Sequence, residues 1–349
     1  MPTYLALGVM SGSSLDGLDL ALCALRLNRG GWSYRIERAR TVPFPQGMRS
    51  RLMSAMSGSA FDLALLDADL GDFIGRACKR FLQGERLHLI ASHGHTIFHQ
   101  PRLGFSTQIG SGARIAAITG CTTVCDFRSA DIAHGGQGAP LVPIGEKLLF
   151  PEHKAFLNIG GICNISLHSG SDLVGFDACI GNQALDHLAA EVGLPFDRDG
   201  RIARSGLLHL GMLKRLNDLP FHRRKAPKSL GREWFDSEMR PVIDDRQVDV
   251  RDRMRTAVEH IAQQVSRSSR PARSSVLVTG GGARNAFLLE RLRALAKVPI
   301  EVPKQEVVDF KEALVFALLG VLRLRGETNA LASVTGARRD TVGGAVHLP

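Results

Sequence analysis

Three glycine-rich turns are the segments of this sequence best suited to binding a charged ligand. They are GVMSGSSLDG (8–17), NIGGI (158–162) and TGGGARN (279–285), and each follows an apolar stretch. Glycine allows positive φ and lets backbone N–H groups approach an anion, so such turns often bind phosphate. We predict that these turns, with Gly160 and Gly161 in the second, hold a nucleotide; a simple tight hairpin is the alternative for each.

The signatures of several common catalytic folds are absent. The sequence has no G-x-x-x-x-G-K-[ST], and the GSG at 110–112 has Ile115 where a dinucleotide-binding turn needs its third glycine. It also lacks G-x-S-x-G, which disfavours an α/β-hydrolase. A nucleotide must therefore be held by hairpin turns rather than by one loop–helix unit.

Asp177 is the carboxylate placed best for proton transfer. It ends the apolar stretch LVGFD (173–177), which predicts a strand end facing a helix start. Phosphoryl transfer needs a carboxylate that takes a proton from the nucleophile, and we assign that role to Asp177; an N-cap of the next helix is the alternative. Asp16 and Asp19 flank the first glycine turn, where they could order Mg²⁺-bound water or serve turn formation alone.

Arg128 is a candidate for recognising an anionic group of a substrate. It lies in DFR (126–128), which ends another apolar stretch and precedes the glycine-rich HGGQGAP (134–140). The planar guanidinium suits a carboxylate or a phosphate, so we assign Asp126 and Arg128 to substrate binding. A buried Asp–Arg pair is the structural alternative.

The histidine cluster HGHT (93–96), with His99, resembles a metal site only superficially. It has no organised cysteine or carboxylate partner nearby, which makes zinc a weak interpretation. We assign His93 and Thr96 as hydrogen-bond donors to a polar ligand.

The composition is that of a folded globular chain. Of the 349 residues, 44% are hydrophobic and 22% charged, and the longest apolar run, Ala313 to Leu322, is too short to cross a bilayer. The N-terminal sequence has no signal-peptide pattern and the six cysteines include no C-x-x-C pair, which predicts a cytoplasmic protein with free thiols.

The positive net charge does not indicate a nucleic-acid partner. The charge of +10 is spread along the chain, and only HRRKAPKSLGR (222–232) is densely basic, without an aromatic residue for base stacking. We expect neither nucleic acid nor a membrane as a partner, and a small acidic ligand is consistent with the excess of cations.

Two similar runs of strand signals, about one domain length apart, predict an internal duplication. The first run is Leu5–Met10, Asp19–Arg26 and Trp32–Thr41, and the second is Ala155–Asn158, Ile162–Leu167 and Leu173–Asp177. Further strands at Leu87–Ser92, Thr122–Asp126 and Ser275–Thr279 alternate with helices at Phe61–Leu82, Gly181–Val192, Asp252–Ser266, Asn285–Ala296 and Lys311–Leu324. This alternation predicts an α/β protein with a repeated β-β-β-α unit and mainly parallel sheets covered on both faces.

Taken together, six segments resemble the anhydro-N-acetylmuramic acid kinase family of the actin/hexokinase-like ATPase superfamily. They are GVMSGSSLDGLD (8–19), ASHGHTIFHQP (91–101), DFRSADIAHGGQGAPLVP (126–143), LNIGGICNIS (157–166), PKSLGREWF (227–235) and VTGGGARNAFLLERL (278–292). They span nearly the whole chain in the family's order, so the combination is far more specific than any single turn.

The resemblance implies a fold and an assembly. We expect two α/β domains with duplicated ribonuclease-H-like cores and an active site in the cleft between them. The expected domains are 1–130 and 131–349, with the C-terminal segment packing back on the first domain. The resemblance also implies a homodimer.

The resemblance implies a reaction as well. The expected enzyme converts 1,6-anhydro-N-acetylmuramic acid, water and ATP to N-acetylmuramic acid 6-phosphate and ADP, in peptidoglycan recycling and amino-sugar catabolism. Asp177 corresponds to the base that deprotonates the water, and Glu312 to an acidic residue that organises Mg²⁺. The nucleotide-binding positions are Gly12, Ser13, Ser14, Leu15, Asp16, Gly17, Leu18 and Asp19 in the first turn and Gly280, Gly281, Gly282 and Asn285 in the last.

One stretch departs from the family's pattern. After the base the family usually reads Asp-Thr-Gly-Pro-Gly-Asn, whereas this sequence reads DACIGN at 177–182. Alternatives are another sugar kinase of the superfamily, acting on an ordinary hydroxyl, and a non-catalytic nucleotide-dependent sensor. A metal-dependent hydrolase built on His93, His95 and His99 is a remote third.

Overall fold

The strands and helices are those of a computed structural model that describes residues 2–12, 15, 17–169, 172–226, 228–272 and 274–349. The strands are β1 (Thr3–Ser11), β2 (Gly17–Asn28), β3 (Gly31–Pro43), β4 (Leu89–Ser92), β5 (His95–Gln100), β6 (Phe105–Ile109), β7 (Thr123–Cys125), β8 (Ala155–Ile159), β9 (Ile162–Ser169), β10 (Asp172–Ile180), β11 (Val276–Thr279), β12 (Ile300–Glu301) and β13 (Ala345–His347).

The helices lie mostly between these strands. They are α1 (Gln46–Ser54), α2 (Ala60–Leu82), α3 (Gly112–Thr119), α4 (Ser129–Ala133), α5 (Val142–Leu149), α6 (Asn182–Ala190), α7 (Arg201–Ser205), α8 (Leu210–Asp218), α9 (Arg232–Trp234), α10 (Arg240–Ile243), α11 (Val250–Ser269), α12 (Ala286–Leu295), α13 (Gln305–Leu324) and α14 (Ala332–Thr335). A π-helical turn, Phe235–Met239, joins α9 to α10.

The chain divides into two compact units. The first comprises Met1–Pro151 and Phe310–Pro349, and the second Glu152–Asp309. The boundary expected at residue 130 lies instead inside the first unit, because α4 and α5 are held there by residues of the C-terminal segment. Thr335 donates a 2.6 Å hydrogen bond to the buried Asp131, and the buried Lys311 and Glu146 form an ion pair at 2.7 Å.

Each unit contains a sheet with the same strand order and polarity. In the first, β3-β2-β1-β4-β7 run consecutively, with antiparallel pairs among β3, β2 and β1 and parallel pairs from β1 onward. In the second, β10-β9-β8-β11-β12 repeat this arrangement. The predicted duplication of a ribonuclease-H-like core is therefore confirmed by the topology, and the protein is mixed α/β.

The expectation of mainly parallel sheets is wrong. Both sheets are mixed, since the first three strands of each unit pair antiparallel with their neighbours in sequence. Parallel pairing of strands so close in sequence would need a longer crossover connection. The strand β13 adds a further antiparallel edge to the first sheet beside β7, and β5 and β6 form a separate hairpin.

The cores explain why the predicted helices form where they do. Helix α13 is buried along Ala313–Leu322, as its uniformly apolar sequence predicts. It packs so closely on β1 that a Cβ at Gly8 would overlap the carbonyl of Ala313. Helix α2 begins at a capping box, in which Ser59 and Asp62 each accept a backbone N–H of the other.

Candidate active site

The parallel strands of the first unit place the predicted residues along one edge of the sheet. Because β1, β4 and β7 run in the same direction, their carboxyl ends share an edge. The first glycine turn follows β1, His93 follows β4, and Arg128 follows β7. The His93 N–H donates to the carbonyl of Val9 at 2.9 Å, which ties the first two of these ends together.

The first glycine turn is described only in part, and Ser13, Ser14 and Asp16 lie outside the described residues. The N–H of Leu15 donates to the carbonyl of Gly12. Gly17 is needed because a Cβ there would overlap the backbone of Val42. Leu18 is fully buried in the core, so only its backbone is available to a ligand.

Two carboxylates, Asp19 and Glu312, belong to the same part of the first unit. Asp19 accepts a 2.6 Å hydrogen bond from the hydroxyl of Thr41. Desolvation by the surrounding protein raises the pKa of Glu312. The positive charge of Lys311 lowers this pKa, and the negative charge of Asp19 raises it. The Glu312 side chain keeps contact with solvent. Carboxylate oxygens are the kind of donor that a magnesium ion prefers.

Arg128 is held by neutral hydrogen-bond acceptors. Its Nη1 donates to the carbonyl of Gly138 at 2.6 Å and its Nη2 donates to Nε2 of His93 at 2.8 Å. Its Nε is buried and makes no hydrogen bond within the structure. Gly138 is itself fixed, because its N–H donates to the buried carboxylate of Asp131 at 2.7 Å. The guanidinium is thus oriented without an ion pair to any carboxylate in the described parts of the chain.

Other residues predicted to contact substrate make different contacts. His93 is 5% exposed and both its ring nitrogens are engaged, so it is not an available donor. Asp126 accepts from the hydroxyl of Ser129 at 2.6 Å and adopts φ of 52°, which shapes the turn before α4. No hydrogen bond joins Asp126 to Arg128 among the described residues. Thr96 lies on β5, half-buried, and accepts from Gln108 at 3.3 Å.

The two glycine turns of the second unit lie side by side. Strands β8 and β11 are parallel neighbours, so the turns that follow them meet at one edge. Gly280 adopts φ of 85°, and a Cβ there would lie 2.6 Å from Oδ1 of Asn158 and 2.8 Å from the carbonyl oxygen of Ile159. A Cβ at Gly282 would overlap the Ile159 side chain, whereas Gly281 is exposed.

Gly160 and Gly161 are packed against the start of α6. The carbonyl of Gly160 accepts from the N–H of Asn182 at 2.9 Å, and that of Gly161 accepts from the N–H of Gly181 at 2.8 Å. These contacts occupy N–H groups that a helix start leaves without partners. Gly160 and Gly161 therefore join the hairpin turn to the helix that follows the Asp177 strand.

Asn285, predicted to bind the nucleotide, is the N-cap of α12. Its Oδ1 accepts the N–H of Leu288 at 3.0 Å, and the residue is only 8% exposed. A Cβ at the neighbouring Gly200 would overlap this same oxygen. Its side chain therefore sets the direction of α12 below the glycine turn.

Asp177 is fixed by groups from two directions. Asn164, its cross-strand partner on β9, donates its side-chain Nδ2 to Oδ1, and the N–H of Leu230 donates to Oδ2 at 2.7 Å. The backbone N–H of Asp177 donates in turn to the carbonyl of Lys228 at 3.0 Å. Burial raises the pKa of Asp177, although these two donors and the charge of Lys228 lower it.

A β-bulge lies directly after Asp177, in the DACIGN stretch (177–182). The pairing of β10 with β9 shifts between Asp177 and Cys179. Ala178, Cys179 and Ile180 are each at most 1% exposed and belong to the core of the second unit. The side chains of 178–180 therefore pack in the core, while the contacts to the Asp177 carboxylate come from Asn164 and Leu230.

Sequence reasoning missed the residues that hold Asp177. Asn164 could have been found from register, because β9 and β10 form a hairpin that pairs Asp172 with Ser169 and therefore Asp177 with Asn164. Lys228 and Leu230 lie about fifty residues away, and only the PKSLGREWF segment itself marked them. The Lys228 Nζ lies 4.5 Å from the centre of the Phe221 ring, which anchors this segment.

The model of the anhydro-N-acetylmuramic acid kinase family matches residues 4–349. The chain belongs to this family. An anhydro-N-acetylmuramic acid kinase of Vibrio cholerae is 37% identical over 368 residues, covering 99% of this chain and 98% of that protein. One of Gloeobacter violaceus is 36% identical, covering 99% of both. Among solved structures, this chain is similar to the ADPNP-bound activator of the 2-hydroxyisocaproyl-CoA dehydratase from Clostridium difficile (14% identity, TM-score 0.47, covering 92% of this chain and 97% of that one).

The metal-site interpretation of the histidine cluster loses support. His95 contacts the hydroxyl of Ser11 and His99 that of Ser106, and the described residues do not bring the two histidines together with His93 as a metal site. Within the described parts of the chain, no helix combines the length and apolarity needed to cross a membrane.

Proposed function

We propose that this chain is an ATP-dependent kinase that converts 1,6-anhydro-N-acetylmuramic acid and water to N-acetylmuramic acid 6-phosphate. Membership of the family along residues 4–349 supports the substrate and the reaction. The observation that carries the chemistry is the half-buried carboxylate of Asp177, oriented by Asn164 and Leu230.

Asp177 acts as the general base. The carboxylate takes a proton from a water molecule, whose oxygen forms a bond to the anomeric carbon. The bond from that carbon to the bridging oxygen breaks, and the freed O6 attacks the γ-phosphorus of ATP, so that ADP leaves. The raised pKa of Asp177 makes it a better proton acceptor than an ordinary exposed aspartate.

The glycine turns bind the nucleotide. The backbone N–H groups near Gly12 and near Gly280–Gly282 suit phosphate oxygens, because glycine lets the backbone approach an anion. Asp19 and Glu312 would hold Mg²⁺, since hard oxygen donors suit this ion. When bound, the ion neutralises charge on the phosphate oxygens.

Arg128 binds the carboxylate of the substrate's lactyl group. This assignment is supported by a guanidinium that is oriented by Gly138 and His93 and hydrogen-bonded to neither Asp nor Glu among the described residues. Arginine pairs with carboxylates through two parallel N–H donors, which fixes orientation as well as charge.

The setting of the reaction is part of the same proposal. The enzyme works in the cytoplasm as a homodimer, in the recycling of peptidoglycan and the catabolism of amino sugars. Sedimentation of the purified chain tests the dimer directly: a mass near 37.8 kDa at micromolar concentration contradicts it.

An ADP-release assay tests the proposed function. Purified protein is given ATP, Mg²⁺ and either 1,6-anhydro-N-acetylmuramic acid or one of several plain amino sugars. ADP release at least a hundredfold faster with the anhydro sugar supports the proposal. Equal or faster release with a plain amino sugar points to a kinase that phosphorylates an ordinary hydroxyl, and ATP binding without turnover points to a sensor.

A further inference from the structure

The imidazole of His93 is locked in one neutral form by its contacts. Its Nδ1 lies 2.9 Å from the carbonyl oxygen of Gly94, a contact that requires a proton on Nδ1. Its Nε2 faces an N–H of Arg128 at 2.8 Å, which requires a free lone pair. The ring packs edge-on against Phe316 at 4.8 Å, so it cannot turn without disturbing the core.

A neutral acceptor orients Arg128 without cancelling its charge. A carboxylate at the position of His93 would also accept from Nη2, but it would neutralise the guanidinium and compete with any anionic ligand. The second acceptor, the Gly138 carbonyl, is neutral as well. Glu312 lies close enough to act on Arg128 electrostatically, yet no hydrogen bond joins the two within the described residues.

Donors remain for a ligand after these two contacts. A guanidinium carries five N–H groups, and the contacts to Gly138 and His93 use one on each terminal nitrogen. The Nε of Arg128 is buried and has no hydrogen-bond partner among the described residues. A buried donor without a partner is costly, and a carboxylate that accepts from Nε and one Nη would remove that cost.

We propose that His93 is a positioning residue that makes the site select sugars carrying an anionic group. The neutral Nε2 of His93 accepts a hydrogen bond from Nη2 of Arg128 and so fixes the guanidinium. The remaining N–H donors then face the ligand, and the guanidinium keeps its full positive charge. This inference rests on the proposed function, since it takes the ligand's anion to be the carboxylate of the anhydro sugar.

Calorimetric binding of two sugars to the full chain tests this role. The probes are 1,6-anhydro-N-acetylmuramic acid and 1,6-anhydro-N-acetylglucosamine, which lacks the carboxylate, both with a non-hydrolysable ATP analogue present. The readout is the ratio of their two dissociation constants. We expect His93→Ala to reduce the preference for the anionic sugar about tenfold, the size of one charge-assisted hydrogen bond.

If His93 had only a structural role, His93→Ala would weaken the binding of both sugars equally and leave the ratio of their dissociation constants unchanged. His93→Gln, which keeps a neutral acceptor, should restore most of the preference. His88→Ala is the matched control, because His88 flanks the other end of β4 and accepts from the N–H of Leu5. An unchanged ratio in His93→Ala overturns the proposal.

Arg128→Ala separates failure of this inference from failure of the proposed function. One outcome is that the wild type prefers the anionic sugar, that Arg128→Ala loses this preference and that His93→Ala keeps it. In that case only the role of His93 is wrong. If the wild type binds both sugars equally, the role of Arg128 fails and that of His93 with it. If neither sugar binds, the proposed substrate itself is contradicted.

Discussion

The backbone N–H of Leu230 donates a 2.7 Å hydrogen bond to Oδ2 of Asp177, which lies 53 residues earlier in the chain. A backbone donor fixes the carboxylate but cannot be lost by side-chain substitution. The carbonyl of Lys228 accepts from the N–H of Asp177. The segment 228–230 therefore contacts both the backbone and the side chain of the proposed base. These two contacts set the direction in which the carboxylate can accept a proton.

Replacing Asp177 by Asn should abolish most of the turnover. The amide keeps the shape of the side chain but cannot accept a proton from water, and a general base supplies about 10²–10⁴ in rate. We expect kcat to fall at least that far while the affinity for ATP changes little. Steady-state ADP release and calorimetric ATP binding measure the two quantities. Asp218→Asn, at an exposed aspartate of the same unit, serves as the control.

Removing the side-chain donor of Asn164 should move the pH profile. The side-chain Nδ2–H of Asn164 donates to the carboxylate of Asp177 and stabilises its charged form. Asn164→Ala removes this donor and therefore raises the pKa of Asp177 above its already raised value. The base works only when deprotonated, so the acidic limb of kcat/KM moves to higher pH. Asn28→Ala, on the exposed β2–β3 hairpin, should leave the profile where it is. An unshifted acidic limb in Asn164→Ala would show that this contact does not tune the base.

A methyl group at Gly280 should weaken nucleotide binding. It would lie 2.6 Å from Oδ1 of Asn158 and force the turn to move. Gly193 is the matched control, since its φ of 75° is similar to the 85° of Gly280 but nothing lies near its missing Cβ. Both alanine variants should lose stability from the positive φ, by about 1–2 kcal/mol in the ordinary left-handed region. Gly280→Ala should lose more, because its ψ of 169° belongs to a conformation almost confined to glycine and its Cβ would overlap neighbouring atoms. Only Gly280→Ala should weaken an ATP analogue, by about tenfold or more in calorimetry; equal affinities in the two variants contradict the assigned site.

Acid should destabilise the protein through its buried histidines. Burial lowers the pKa of His93 to about 3 and that of His222 to about 4, and it places the pKa of His260 well below 6.5. The unfolded chain therefore binds protons that the folded chain does not, and the stability present above pH 6.5 is lost as the pH falls toward these values.

The melting temperature between pH 7.5 and 5 measures this effect. Each histidine contributes a slope of up to about 1.4 kcal/mol per pH unit in that window. The melting temperature of His222→Gln should fall less steeply as the pH is lowered than the melting temperature of the wild type. The comparison between the two proteins removes the opposite contribution of Asp186, whose pKa burial raises to about 6. Parallel curves for both proteins would mean that His222 does not titrate on unfolding.

Local pattern was sufficient to predict much of the fold. The apolar runs around 5–10 and 155–158 predicted β1 and β8, and the helical spacing at Phe61–Leu82 predicted α2 almost to its ends. Strand direction was harder, because an apolar run does not reveal whether its neighbour is parallel. The buried ion pair of Lys311 with Glu146 could not be predicted either, since it joins helices 165 residues apart in the chain.

The sequence could nominate candidate site residues but could not give their contacts. Asp177 and Arg128 stood out as candidates because each follows an apolar stretch, although an N-cap and a buried Asp–Arg pair were the structural alternatives. His93 was assigned as a donor to a ligand, but its ring is an acceptor for Arg128, and that depends on a contact across 35 residues. Asn285 was assigned to the nucleotide, although an asparagine before a helix commonly caps it.

Turnover in ¹⁸O-labelled water, followed by mass spectrometry of the sugar phosphate, tests the central claim most directly. The reaction is kept to minutes, and unlabelled N-acetylmuramic acid 6-phosphate in the same water corrects for exchange at the anomeric carbon. If Asp177 activates water to open the anhydro bridge, each product molecule carries one ¹⁸O atom at the anomeric position and none in the phosphate. A sugar phosphate without label at the anomeric carbon, or with label in the phosphate, contradicts it.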